Sequence, residues 1–176
     1  MLVIKDQKTK YVFCHVVDKK RGYAWVVRRI NEDIDSLGYQ QVIIRTDGEN
    51  AIKDLRAQVS RQRAQGAMWQ TTTKGDSKTG GMIGRGVQSV EGQIRAIKLG
   101  LEKRLGCRLE QNWVIIHWIV ELAGMHISRY QRGHDGMTPY RRLTGNDWKQ
   151  HIVEMGEVVE YKPLKAKTEP RDRMSN

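Results

Sequence analysis

Seven apolar residues, Ile83, Val87, Val90, Ile94, Ile97, Leu101 and Leu105, follow one another at intervals of four and three. That spacing sets them on one face of an α-helix of about six turns, and such a face must be buried against something else. The chain is therefore read as a packed globular domain built around one long helix. Gly84, Gly86, Gly92 and Gly100 lie inside the same stretch. Each costs about 0.5–1 kcal/mol against alanine, a load that points to relaxed selection or accumulated damage.

The segments before this helix alternate in type. Residues 1–5 read as a short strand and Tyr11-Val-Phe-Cys-His-Val-Val17 as a second, with the polar turn Asp6-Gln-Lys-Thr-Lys10 between them, so the two form a hairpin. Ala24, Val27, Ile30, Ile34 and Leu37 mark a helix that stops at Gly38. Gln41 to Thr46 is a strand ending at Asp47-Gly48, and Ile52, Leu55 and Val59 mark the helix after it. Ala67 to Thr73 is a short strand, and Lys74 to Gly81 is the most loop-like stretch. Beyond the long helix, Trp113 to Tyr130 reads as a largely buried helix. Thr138-Pro139 opens a short one, with Thr138 as N-cap and Pro139 at the first helical position. Gly156 to Tyr161 reads as a small strand. This order predicts an α/β fold with a mixed sheet covered by helices, one domain over residues 1–161 and a charged flexible tail over 162–176.

The net charge of +11 favours a polyanionic partner, with nucleic acid first. An anionic membrane surface is second, since neither a basic amphipathic helix nor a lipid anchor is evident. No apolar run is long enough to span a bilayer, and residues 1–6 are too soon charged for a secretory signal, so the expected compartment is nucleus or cytoplasm. Cys14 and Cys107 have no metal-ligand spacing and read as reduced, partly buried thiols. Nothing points to a small-molecule substrate.

Four segments in order carry a family resemblance. They are Val3-Ile-Lys-Asp through His15-Val-Val-Asp-Lys-Lys, Leu37 to Ile52, Asp76 to Arg95, and Asp135-Gly-Met-Thr-Pro-Tyr-Arg-Arg-Leu-Thr-Gly145. Together they resemble the catalytic core of retrotransposon and retroviral integrases, a DDE-type polynucleotidyl transferase. That resemblance implies an RNase H-like mixed central sheet flanked by helices. It also implies DNA integration on duplex DNA, possible homodimers, and three carboxylates holding two Mg²⁺ ions that activate the attacking and leaving oxygens at phosphorus.

The resemblance places Asp47 as the second carboxylate and remaining metal ligand; on its own residues, Asp47-Gly48 also reads as a plain strand-ending turn. The third, a glutamate, falls on Gly84, which has no side-chain oxygen. Glu91 shares nearly the same helix face but sits about 10 Å further along the axis, and Asp76 lies in the loop. The family's first strand, with the first aspartate, falls ahead of Leu2, so it is expected to be missing. The reading is a degenerate copy without catalysis, with Mg²⁺ bound weakly at best. The alternative is a non-catalytic DNA-binding or dimerisation module.

Lys74, Lys78, Arg85, Arg95 and Lys98 cluster on the loop and polar face of the long helix, where the resemblance implies DNA contact; an ordinary solvated face is the plain alternative. Arg61, Arg63, Arg141 and Arg142 are basic positions with no assigned role. His117, Glu121 and His126 share one helix, which permits a metal pair, though the apolar flanks argue for packing.

Overall fold

The computed structural model describes residues 1–17, 24–46, 50–63, 67–71 and 77–160. Their elements run β1 (Leu2–Lys5), β2 (Val12–His15), α1 (Ala24–Ser36), β3 (Val42–Thr46), α2 (Asn50–Gln62), β4 (Ala67–Thr71), α3 (Ser77–Leu105), α4 (Ile115–Tyr130) and α5 (Pro139–Thr144).

β1 and β2 pair antiparallel, Leu2 opposite His15 and Lys5 opposite Val12. Asp6 builds the turn between them. Its Oδ2 accepts from the Thr9 amide at 2.7 Å and the Thr9 hydroxyl at 2.5 Å, and its carbonyl accepts from the Lys10 amide. Lys10 takes a left-handed φ of 67° to close it. β3 and β4 pair in parallel, Val42 opposite Ala67 and Thr46 opposite Thr71. Among the described residues the strands thus form one antiparallel and one parallel pair, with no hydrogen-bonded ladder between them.

Both pairs rest on one apolar floor. Val26, Val27, Ile30, Ile34, Leu55 and Val59 of α1 and α2 form it, with Leu2 and Ile4 from the hairpin and Val42, Ile44 and Trp69 from the parallel pair packed on top. α1 is tied to β2 by Asp33, whose Oδ2 lies 2.6 Å from His15 Nε2. α2 is tied to β4 by Arg56, which stacks over the Trp69 ring at 5.4 Å, and by Ser60, which accepts from the Trp69 indole. Burial of this floor supplies the main stabilisation, at roughly 25 cal/mol per Å² of apolar surface.

Alternation along β1 sends Val3 and Lys5 to the opposite face. There Val12, Cys14, Val90, Val120 and Ile127 form a second cluster with Val3, and Leu101, Leu109 and Ile119 continue it between α3 and α4. This layer covers the hairpin, whereas Ile43 and Met68 on the parallel pair are exposed.

Several expectations need correction. α3 begins at Ser77, so 77–81 is helical and not loop; extending a formed helix gains one bond per residue, which offsets its glycines. Only the middle of its apolar face is covered. Val90 and Leu101 are buried, but Ile83 and Leu105 lie beyond the reach of α4 and are 40% and 52% exposed. α4 buries one stripe, including Ile119, Val120 and Ala123, and leaves Trp118 in solvent. In α1 the core face is set by Val26 instead of Ala24, which is exposed. Residues 156–160 form no strand. Gly156 turns the chain with φ 81°, and Val158 and Val159 are exposed without a partner edge. α5 starts as read: the Thr138 hydroxyl accepts from the Arg141 amide at 3.1 Å and Pro139 follows.

Candidate nucleic-acid interface

The site expected from the sequence centres on the end of β3 and the first turns of α3. β3 ends at Thr46. Asp47, Lys74 and Asp76 lie outside the described residues, as do the tail 162–176 and the side chain of Lys78. Gly84 stands in the helical interior of α3, exposed, and a Cβ built on it meets no atom within 4 Å. No oxygen is offered from that position, and Glu91 is exposed on a later turn. Among the described residues no three His, Cys, Asp or Glu side chains gather as metal ligands. Of the carboxylate positions that the resemblance assigns within the chain, Gly84 alone lies among the described residues.

Basic residues are better represented. Arg85 and Arg95 are exposed on α3. Lys98 is half-buried and lies 3.6 Å from Glu102 one turn on, so part of its charge is spent within the helix.

Lys5, which sequence reasoning passed over, joins them. It lies across α3 where Gly86 leaves room: a Cβ there would sit 3.1 Å from Lys5 Cδ and 3.7 Å from Nζ. Burial pushes the Lys5 ammonium down from its ordinary pKa, and the nearby charges of Lys10 and Arg85 push it the same way. Among the described residues no carboxylate pairs with Lys5, Lys10 or Arg85. The neighbouring Asp6 is occupied by Thr9, Tyr39 and Lys8, and those hydrogen bonds outweigh its burial and hold its carboxyl below the usual range. The signal that could have found Lys5 is strand alternation, since Leu2 and Ile4 claim the opposite face.

Three of the remaining four basic positions are paired within the fold. Arg63 pairs with Asp35 at 2.9 Å and Arg141 with Asp147 at 3.3 Å. Arg142 pairs with Asp135 at 2.5 Å and donates to the Thr9 carbonyl, tying the loop before α5 to the hairpin turn. Arg61 is exposed.

The three helix residues weighed as metal ligands diverge. His117 is exposed, Glu121 approaches His15 Nδ1 at 3.5 Å, and His126 meets Gln93 at 3.2 Å. The buried His15–Asp33 pair was not anticipated, because its partners come from different elements. Cys14 is buried, which pushes its thiol up to about 12, whereas Cys107 is exposed and not partly buried as expected; both are free.

No protein-family model matches the chain, and no curated protein matches it by sequence. Among solved structures, the catalytic core domain of BIV integrase matches with a TM-score of 0.58 at 15% identity, covering 81% of this chain and 84% of that one. The fold is that of an integrase catalytic core. This integrase-like fold agrees with the architecture implied by the motifs: a mixed strand layer between helices. No helix among the described residues is long and apolar enough to cross a membrane.

Proposed function

We propose that this chain is a DNA-binding module on an integrase-like core, descended from a retrotransposon integrase and without strand-transfer chemistry. The observation that carries the reading is the composition of α3. It has Gly84 where the resemblance expects a carboxylate, and Arg85 and Arg95 are exposed along it. Lys74, Lys78 and Lys98 extend the same basic set in sequence. A helix so composed attracts phosphate and has no hard oxygen to give a Mg²⁺ ion at that position. Asp47 alone would hold Mg²⁺ weakly, so the chain binds duplex DNA without needing metal. Groups that act as a unit lose nearly all activity when one is removed.

The test is a strand-transfer and end-processing assay on labelled duplex with Mg²⁺ or Mn²⁺, run beside a binding assay on the same duplex. Binding without product is expected. Metal-dependent joined or cleaved product from the unmodified chain would overturn the reading.

A second reading, a dimerisation module, is favoured by the exposed Trp113, Val114 and Trp118 around the start of α4. Sedimentation at rising concentration tests it; a strictly monomeric chain excludes it.

A further inference from the structure

His15 ends β2 and its ring lies between two helices. Its Nε2 is 2.6 Å from Asp33 Oδ2 of α1, and its Nδ1 is 3.5 Å from Glu121 Oε1 of α4. An ionised carboxylate only accepts, so Nε2 carries the proton and donates it to Asp33. His15 and Asp33 are both buried, and Nδ1 is itself shut off from solvent without a hydrogen-bond partner. A protonated Nδ1 would draw a carboxylate in to about 2.7–2.9 Å. At 3.5 Å, the Nδ1 lone pair and a carboxylate oxygen are instead two electron-rich atoms turned towards each other. Such a pair is stabilised by a cation that both can bind.

The separation matches that of two atoms bound to one zinc ion. Bonds of about 2.0–2.2 Å meeting at a tetrahedral angle set nitrogen and oxygen about 3.4 Å apart. We propose that His15 Nδ1 and Glu121 are two ligands of a Zn²⁺ site where β2, α1 and α4 meet, with His117 as the third. His117 stands four residues before Glu121 on α4, on the same helix face, and is exposed. It closes on the ion by rotation of its side chain, and solvent takes the fourth position. Asp33 is a positioning residue: its hydrogen bond keeps the Nδ1 lone pair bare and makes the ring a stronger donor. Glu121 is exposed, so the ion enters past it. Two imidazoles favour zinc over magnesium, which prefers an all-oxygen shell. The pair on α4 thus gains a third ligand from β2, and His126, held by Gln93, takes no part. This site is independent of the DNA-binding reading.

Zn²⁺ alone, added to the full chain in chelator-free buffer, is the probe. It is expected to shift the NMR resonance of His15 Nδ1 while Nε2 stays protonated, and to shift the His117 ring with it; Mg²⁺ is expected to do neither. Glu121→Gln and His117→Ala change exposed positions, so both variants should fold. Each is expected to weaken zinc affinity about 10- to 100-fold. Asp33→Asn, which still accepts from Nε2, is expected to weaken it about 10-fold with the one-to-one stoichiometry kept. His126→Gln should leave affinity unchanged. Zinc that leaves His15 Nδ1 unmoved, or that binds the Glu121→Gln and His117→Ala variants as tightly as the parent chain, overturns the site. So does an Nδ1 that carries a proton at neutral pH and keeps it when zinc is added, since His15 would then be an imidazolium bridging two carboxylates.

Discussion

The Ser128 hydroxyl accepts from the Val12 amide at 2.8 Å and donates to the Val12 carbonyl at 3.0 Å, so one side chain of α4 satisfies both backbone groups of a β2 residue. Ser128 is fully buried and Val12 nearly so. The contact fixes α4 to the hairpin, and with it the surface on which α3 lies.

Ser128→Ala should therefore cost about 2–4 kcal/mol, because it strands a buried N–H and a buried C=O together. Urea unfolding of the variant checks this. A loss under about 0.5 kcal/mol would show that the two groups find other partners.

Much of this architecture is legible in the residues, and the exceptions have physical causes. The spacing of Val90, Ile94, Ile97 and Leu101 announces α3, and Thr138-Pro139 announces α5, since each signal is local. Where the burial of α3 ends is not local: it depends on how far α4 reaches, so Ile83 and Leu105 could not be told from Val90. The 156–161 stretch reads as β because of its valines, but a strand needs an edge to pair with and residues 156–160 have none. In the candidate site, Gly84 and Arg85 are visible from motif and helix. Lys5 is not, because a single lysine at a strand end acquires meaning only when α3 is laid across it. The His15–Asp33 pair escapes for the same reason.

Gly84→Ala should stabilise the fold by about 0.5–1 kcal/mol, since the added Cβ enters open space in a helix interior. Gly86→Ala should gain less, because its Cβ meets Lys5 Cδ at 3.1 Å and the lysine must move. Thermal unfolding of both variants decides; equal gains would mean that Lys5 does not rest on Gly86.

Asp135 should titrate at about 2, held there first by its hydrogen bond to Arg142 and then by the Met137 amide. With its folded pKa below the unfolded value, the contact contributes above the unfolded pKa and is lost as pH falls through about 2. Arg142→Gln should return the carboxyl to the ordinary range and free the loop from Thr9. NMR titration of the Asp135 carboxyl reports it.

His126 has its pKa lowered by burial, with the Arg129 charge acting in the same direction. The unfolded chain therefore takes up this proton first. Stability should be full above the unfolded value near 6.5 and fall as pH drops below it towards the lower folded pKa. His126→Gln, which can keep the contact to Gln93, should flatten that part of the stability–pH curve. An unchanged slope would assign the effect to another group.

The most direct test of the account is the affinity of the unmodified chain for duplex DNA as salt is raised, with EDTA present throughout. About three to four phosphate contacts predict a fall of roughly 40- to 150-fold between about 50 and 200 mM monovalent salt, with little dependence on sequence. Affinity that stays level over that range, or that requires a divalent metal, would contradict the central claim.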